Sequence, residues 1–101
     1  AGRMLVVSSA KRGVSLLDLR TREVQWEKAP ERGAPTAPTV TERGTVIYGE
    51  TKGSLLALSL SDGREIARAE GGAGFSATPA AFGTFGGALS NGGRFLFLRV
   101  N

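Results

Sequence analysis

The 101-residue chain contains no cysteine and no histidine. Without cysteine there is no disulfide framework and no thiolate metal site. Without histidine there is no imidazole to act as a base near neutral pH. Aromatic residues are few, at 7%. No apolar run approaches the roughly 18 residues of a membrane-spanning helix, and no secretory leader is visible at Ala1. Paired carboxylates at strand ends in apolar surroundings are also missing. Ser8 and Ser9 have no partner base to activate them. These absences argue against an enzyme and against any bound cofactor or metal.

What the chain does have is glycine, 15 residues of it, with 41% hydrophobic and 22% charged residues. That balance is globular and rich in turns, because it holds too much apolar surface for a disordered polymer. The net charge is +4, but the 13 lysines and arginines are scattered and interleaved with acids. Nucleic-acid binding needs a concentrated basic stripe, so this surface reads as ordinary solvated charge and no nucleic-acid partner is expected. Gly71-Gly72-Ala73-Gly74 lacks the Lys-Ser/Thr ending and following helix of a phosphate loop. It reads as a connection between repeats.

An internal repeat runs through the chain. Gly53–Leu60 aligns with Gly93–Val100 at an offset of 40 residues. Leu17–Leu19 aligns with Leu58–Leu60, Ala37–Thr39 with Thr78–Ala80, and Leu5–Val7 with Val46–Tyr48, each at an offset of 41. Each unit predicts the same series of strands. A proline-bearing strand opens it, at Ala37–Thr41 (Pro38) and Ala77–Phe82 (Pro79). An aliphatic strand follows, at Met4–Ser8, Thr45–Gly49 and, poorly, Gly86–Ser90, where the run Phe82–Gly87 is weak in strand formers. A third strand lies beyond a glycine turn, at Val14–Leu19, Ser54–Leu60 and Arg94–Val100. A fourth lies at Glu23–Glu27 and Arg64–Ala69. Gly13, Gly53, Gly63 and Gly93 supply the turns. The alternation at Leu56, Leu58 and Leu60, cut off by Ser61-Asp62-Gly63, favours a strand over a helix.

Ten strands in units of about 40 residues, four strands to a unit, predict an all-β chain made of β-propeller blades. The expected division is a partial blade at 1–33, a full four-stranded antiparallel blade at 34–74 and a final partial blade at 75–101. Two and a half blades fall short of the four to eight that close a propeller. The expectation is therefore a part of a larger propeller, with the remaining blades supplied by the same or another chain.

The residues also resemble a known family. Gly53-Ser-Leu-Leu-Ala-Leu-Ser-Leu-Ser-Asp-Gly63 is similar to the repeat of PQQ-like, or quinoprotein-type, propellers. So is Leu16-Leu17-Asp18 followed by Thr21-Arg22-Glu23-Val24-Gln25-Trp26, with Trp26 in the place of the family's tryptophan. Within that group, Asp62–Pro79 looks most like the C-terminal blades of the BamB family of outer-membrane assembly lipoproteins. Arg22 stands where the repeat has a turn glycine, and Ala67-Arg68 where it has a tryptophan.

The resemblance implies a non-enzymatic, protein-binding scaffold. It would be periplasmic and associated with the outer membrane, and it would assist the assembly and insertion of β-barrel proteins there. Its partners would be the barrel-assembly machinery or other envelope proteins, with no membrane span of its own. The alternative it leaves open is the propeller of a PQQ-dependent dehydrogenase or of a sensor-kinase ectodomain. Candidate partner contacts are the turn cations Lys11, Arg12, Lys52 and Arg94. Structural roles are expected for Trp26, Gly53, Gly63, Gly93, Pro38 and Pro79. Trp26 should dock between repeats, at a cost of about 3–5 kcal/mol on truncation if fully buried. Tyr48 reads as packing or a rim contact, and Phe75, Phe82, Phe85, Phe95 and Phe97 as filler between sheets. Arg94–Val100 is expected to be an inner strand that needs a neighbour on its far side.

Overall fold

The computed structural model describes residues 3–70, 73–82 and 85–99. Gly71 and Gly72 of the glycine run, Gly83 and Thr84 of the weak strand, and Val100 at the end of the last strand lie outside the described residues. The chain is all-β, with ten strands and no helix among the described residues. The strands are β1 (Met4–Ser9), β2 (Gly13–Asp18), β3 (Glu23–Lys28), β4 (Thr39–Val40), β5 (Thr45–Gly49), β6 (Leu55–Ser59), β7 (Glu65–Ala69), β8 (Ala80–Phe82), β9 (Phe85–Leu89) and β10 (Phe95–Arg99). They form three antiparallel sheets, ordered β1-β2-β3, β4-β5-β6-β7 and β10-β9-β8. Among the described residues β10 pairs only with β9, so the neighbour expected on its far side is not one of these strands. The prolines limit the opening strands, since a proline cannot donate to a ladder. β4 begins only after Pro38, and β8 only after Pro79.

The middle sheet explains its own sequence. Along a strand, side chains alternate between the two faces. Val46, Tyr48, Leu56 and Leu58 face the first sheet and form one buried cluster with Val14, with Val6, Trp26 and Leu60 packed at its margin. Ile47, Leu55 and Ala57 face the third sheet and form a second cluster with Phe75, Ala88 and Leu98. β5 and β6 are apolar without alternation because both of their faces are covered. The two glycines that made β9 a poor strand candidate have a packing reason. A Cβ on Gly86 would lie 2.5 Å from the Ile47 side chain, so its absence admits Ile47 between the sheets.

The repeat extends to fine detail. A bulge interrupts β2–β3 between Leu16 and Leu17, and another interrupts β6–β7 between Ala57 and Leu58, one period later. Arg22 adopts a φ of 63°, matching Gly63 at 74°, so arginine occupies a left-handed position that glycine fills in the next repeat. Trp26 reaches from the first sheet to the second, where its indole N–H donates to the Leu60 carbonyl at 2.7 Å. Its ring lies against Gly63, where a Cβ would come within 2.6 Å of it. The Thr39 hydroxyl donates to the Pro79 carbonyl, linking the opening strands of the second and third sheets.

The aromatic residues divide. Tyr48 and Phe75 are fully buried, whereas Phe85, Phe95 and Phe97 are exposed on the outer face of the third sheet and do not fill a space between sheets. The Phe82 side chain lies outside the described part of β8.

Trp26 is only half-buried, so its truncation should cost less than that of a fully enclosed tryptophan. Trp26→Ala is expected to lower stability by about 2–3 kcal/mol, and Trp26→Phe by about 1 kcal/mol through loss of the indole donor. Urea denaturation measures both; equal losses for the two variants would place the ring contacts outside the fold's energetics.

Candidate functional site

Three hairpin turns carry the candidate cations. Lys11 and Arg12 lie in the β1–β2 turn, Lys52 in the β5–β6 turn, and Arg94 follows the β9–β10 turn. All four are exposed. The connecting segments bring the turns to one end of the stack. Residues 29–34 run from the first hairpin to the second: Gly13 packs against the backbone of Lys28, Ala29 and Pro30, and the Lys52 N–H donates to the Arg32 carbonyl at 2.8 Å. Residues 73–75 join the second hairpin to the third: Gly74 packs against the Thr51 carbonyl, and its own carbonyl accepts the Asn91 N–H at 2.8 Å. Gly53 has no room for a side chain because the Arg32 stem covers it. Gly93 needs its glycine for a different reason, a φ of 85° in open space.

Beside these turns lies a charged network that the sequence did not single out. Arg68 on β7 is its centre. One terminal nitrogen of Arg68 pairs with Glu31 at 2.9 Å and Glu65 at 2.7 Å, and the other reaches the Ser54 hydroxyl at 3.3 Å. Lys28 closes on Glu31 at 2.6 Å. Glu70 accepts from Arg32 at 3.0 Å and from Ser54 at 2.8 Å. The hydrogen bonds from Lys28 and then Arg68 hold the Glu31 carboxyl below its usual range, and Arg68 does the same for Glu65. Those two carboxylates in turn raise Arg68.

Two buried polar groups sit under this end. Burial pushes the Tyr48 phenol up, helped by the charges of Glu50, Glu31 and Glu65. Glu50 is almost wholly buried, and its Oε2 accepts the Glu31 N–H at 3.0 Å. Its Oε1 has no hydrogen-bond partner among the described residues. The Glu50 carbonyl accepts the N–H of Phe75 at 2.9 Å and of Gly53 at 3.2 Å. Glu50 therefore ties both connecting segments to the middle hairpin.

The arrangement separates two kinds of charge. Glu31, Glu65, Glu70, Arg32, Arg68 and Lys28 satisfy one another. Among the described residues, Lys11, Arg12, Lys52 and Arg94 take part in no ion pair. The hairpin end thus offers a group of solvated cations. Among the described residues, no group of three acidic, histidine or cysteine side chains is placed to hold a metal. At the far end, a cleft of about 440 Å³ between the first and second sheets is lined by Met4, Leu16, Gln25, Arg43 and Leu60 among others. It has a single charged group and no acid to oppose it.

No family model matches the chain, and no curated protein matches it. Among solved structures, the chain is similar to the crystal structure of the computationally designed Ika4 protein, with a TM-score of 0.84 and 12% identity. The match covers all of this chain, which spans 62% of the length of that protein. At that identity the likeness concerns the fold alone.

The network has a pH signature. Glu31 and Glu65 bind protons less readily in the folded chain than in the unfolded one, where the carboxyl value is 4.5. Their contribution is complete above that value and is lost as pH falls through the lowered values. Arg68→Gln should flatten the acid side of the stability–pH curve below pH 4.5. At neutral pH it should cost only about 0.5–1 kcal/mol, because water screens these half-exposed pairs. Denaturant melts of both proteins at pH 3 to 7 check this; parallel curves would contradict it.

Proposed function

We propose that this chain is a section of a β-propeller acting as a non-enzymatic protein-binding scaffold, of the type that assists β-barrel assembly at the bacterial outer membrane. The observation that carries the reading is the placement of the three cationic hairpins. One turn from each of three successive sheets comes to the same end, and the unpaired cations Lys11, Arg12, Lys52 and Arg94 lie there. Sheets that follow one another at an interval of 40–41 residues, each offering a loop to a common face, match the way propellers present a binding surface. The blade reading draws on the resemblance of Gly53–Gly63 to the PQQ-like repeat, and the outer-membrane assignment on the resemblance of Asp62–Pro79 to BamB-type blades. On this reading the chain works in the periplasm, beside the outer membrane, on protein partners of the barrel-assembly machine.

The test is a direct binding measurement. The purified chain is titrated against the immobilised periplasmic region of the barrel subunit of the assembly machine. Saturable binding is expected, weakened about tenfold or more when Lys11, Arg12, Lys52 and Arg94 are all changed to Glu, since repulsive contacts cost in proportion. Absence of binding, or binding indifferent to the four charge reversals, would contradict the reading.

A further inference from the structure

We propose that two copies of this chain associate head to tail, the outer face of the third sheet of each copy packing on the outer face of the first sheet of the other. The proposal rests on the blade reading for closure of the ring. The contact itself follows from the repeat.

Each sheet has a front, facing the preceding sheet, and a back, facing the following one. Val46, Tyr48 and Leu58 form the front of the middle sheet and are buried against the first. Their counterparts one period earlier are Leu5, Val7 and Leu17. These share the outer face of the first sheet, where Leu5 is 46% exposed, and Val24 opposite Leu17 is 49% exposed. Leu55 and Ala57 belong to the back of the middle sheet, buried against the third. Their counterparts 40 residues later are Phe95 and Phe97, which are 53% and 55% exposed. The chain therefore builds the front-to-back contact twice within itself, and one front and one back face outward. Exposed apolar faces of this kind mark interaction sites.

The strands that carry the two faces are written for burial on both sides. Phe95-Leu96-Phe97-Leu98 in β10 is as continuously apolar as Leu55-Leu56-Ala57-Leu58 in β6. A run of that kind belongs to a sheet covered on both faces.

The sizes of the side chains point to a second copy as the occupant. On the exposed back, the phenylalanines are larger than the Leu55 and Ala57 they replace, and their rings lean over Gly87, which stands where the middle sheet has Ile47. On the exposed front, Val7 and Ser15 are much smaller than Tyr48 and Leu56 at the matching positions, a loss that exceeds the one methylene by which Leu5 outsizes Val46. A gain in volume on one outer face meets a loss on the other, as close packing requires. Because the two surfaces differ, the contact is heterologous, and heterologous contacts close into rings when the rotation allows. Two copies bring six sheets, within the four to eight of closed propellers. Three copies would bring nine.

Sedimentation velocity and native mass spectrometry test this at about 50 μM chain, well above a micromolar dissociation constant. The wild type should show twice the 10.5 kDa chain mass. Leu5→Asp, which spoils the front, and Phe95→Asp, which spoils the back, should each be monomeric alone. An equal mixture of the two should recover a one-to-one dimer, because one variant keeps its back and the other its front. Circular dichroism confirms that each variant is folded, and Leu5→Ser and Phe95→Ser replace any that is not. A monomeric wild type, a ladder of growing assemblies, or dimers of either variant alone would overturn the proposal. A monomeric wild type that still bound the assembly-machine partner would overturn the pairing and leave the scaffold reading standing.

Discussion

The structure depends on burial of both faces of the middle sheet. β5 and β6 carry Val46, Tyr48, Leu56 and Leu58 toward one neighbour and Ile47, Leu55 and Ala57 toward the other, all with essentially no exposed surface. Burying side chains of this size contributes roughly 1.5–3 kcal/mol each, offset by the entropy lost in ordering the chain. Among the described residues, the apolar side chains with essentially no exposure concentrate in these two strands. The three-stranded outer sheets keep one apolar face covered only because the middle sheet lies against it. Their order is a consequence of that packing.

Hydrogen bonds then fix the sheets relative to one another. Apolar packing is non-directional, whereas the bonds from Trp26 to the Leu60 carbonyl and from Thr39 to the Pro79 carbonyl specify where each sheet meets the next. Glu50 does the same for the connecting segments, through the Glu31 N–H on one side and the Phe75 N–H on the other. These links hold residues 29–34 and 73–75 against the middle hairpin, which is why the three turns share one end. The group of cations is thus a product of core packing transmitted through buried polar contacts.

Much of this was legible in the sequence. The 40–41 residue period, the ten strands and the glycine turns follow from local chemistry, since alternation and positive-φ positions are written residue by residue. The two-sided burial of β6 is written in the adjacent Leu55 and Leu56. The charged network was not legible, because Arg68 meets Glu31 across 37 residues and no periodicity marks such a pair. Nor was the division of the phenylalanines. Strand parity puts Phe95 and Phe97 on one face, but only the packing of the sheets tells which face is covered. Glu50 stands where the neighbouring repeats have Ser9 and Ser90, and nothing local distinguishes a buried carboxylate there from an exposed one.

The central claim is that the middle sheet supports the other two. Native-state hydrogen exchange, resolved by residue, tests it most directly. The amides of Val46, Ile47, Ala57 and Leu58 should exchange slowest, with protection equal to the global unfolding free energy. The paired amides of β1, β2, β9 and β10 should open at lower cost. Outer-sheet amides that outlast those of β5 and β6 would contradict the account.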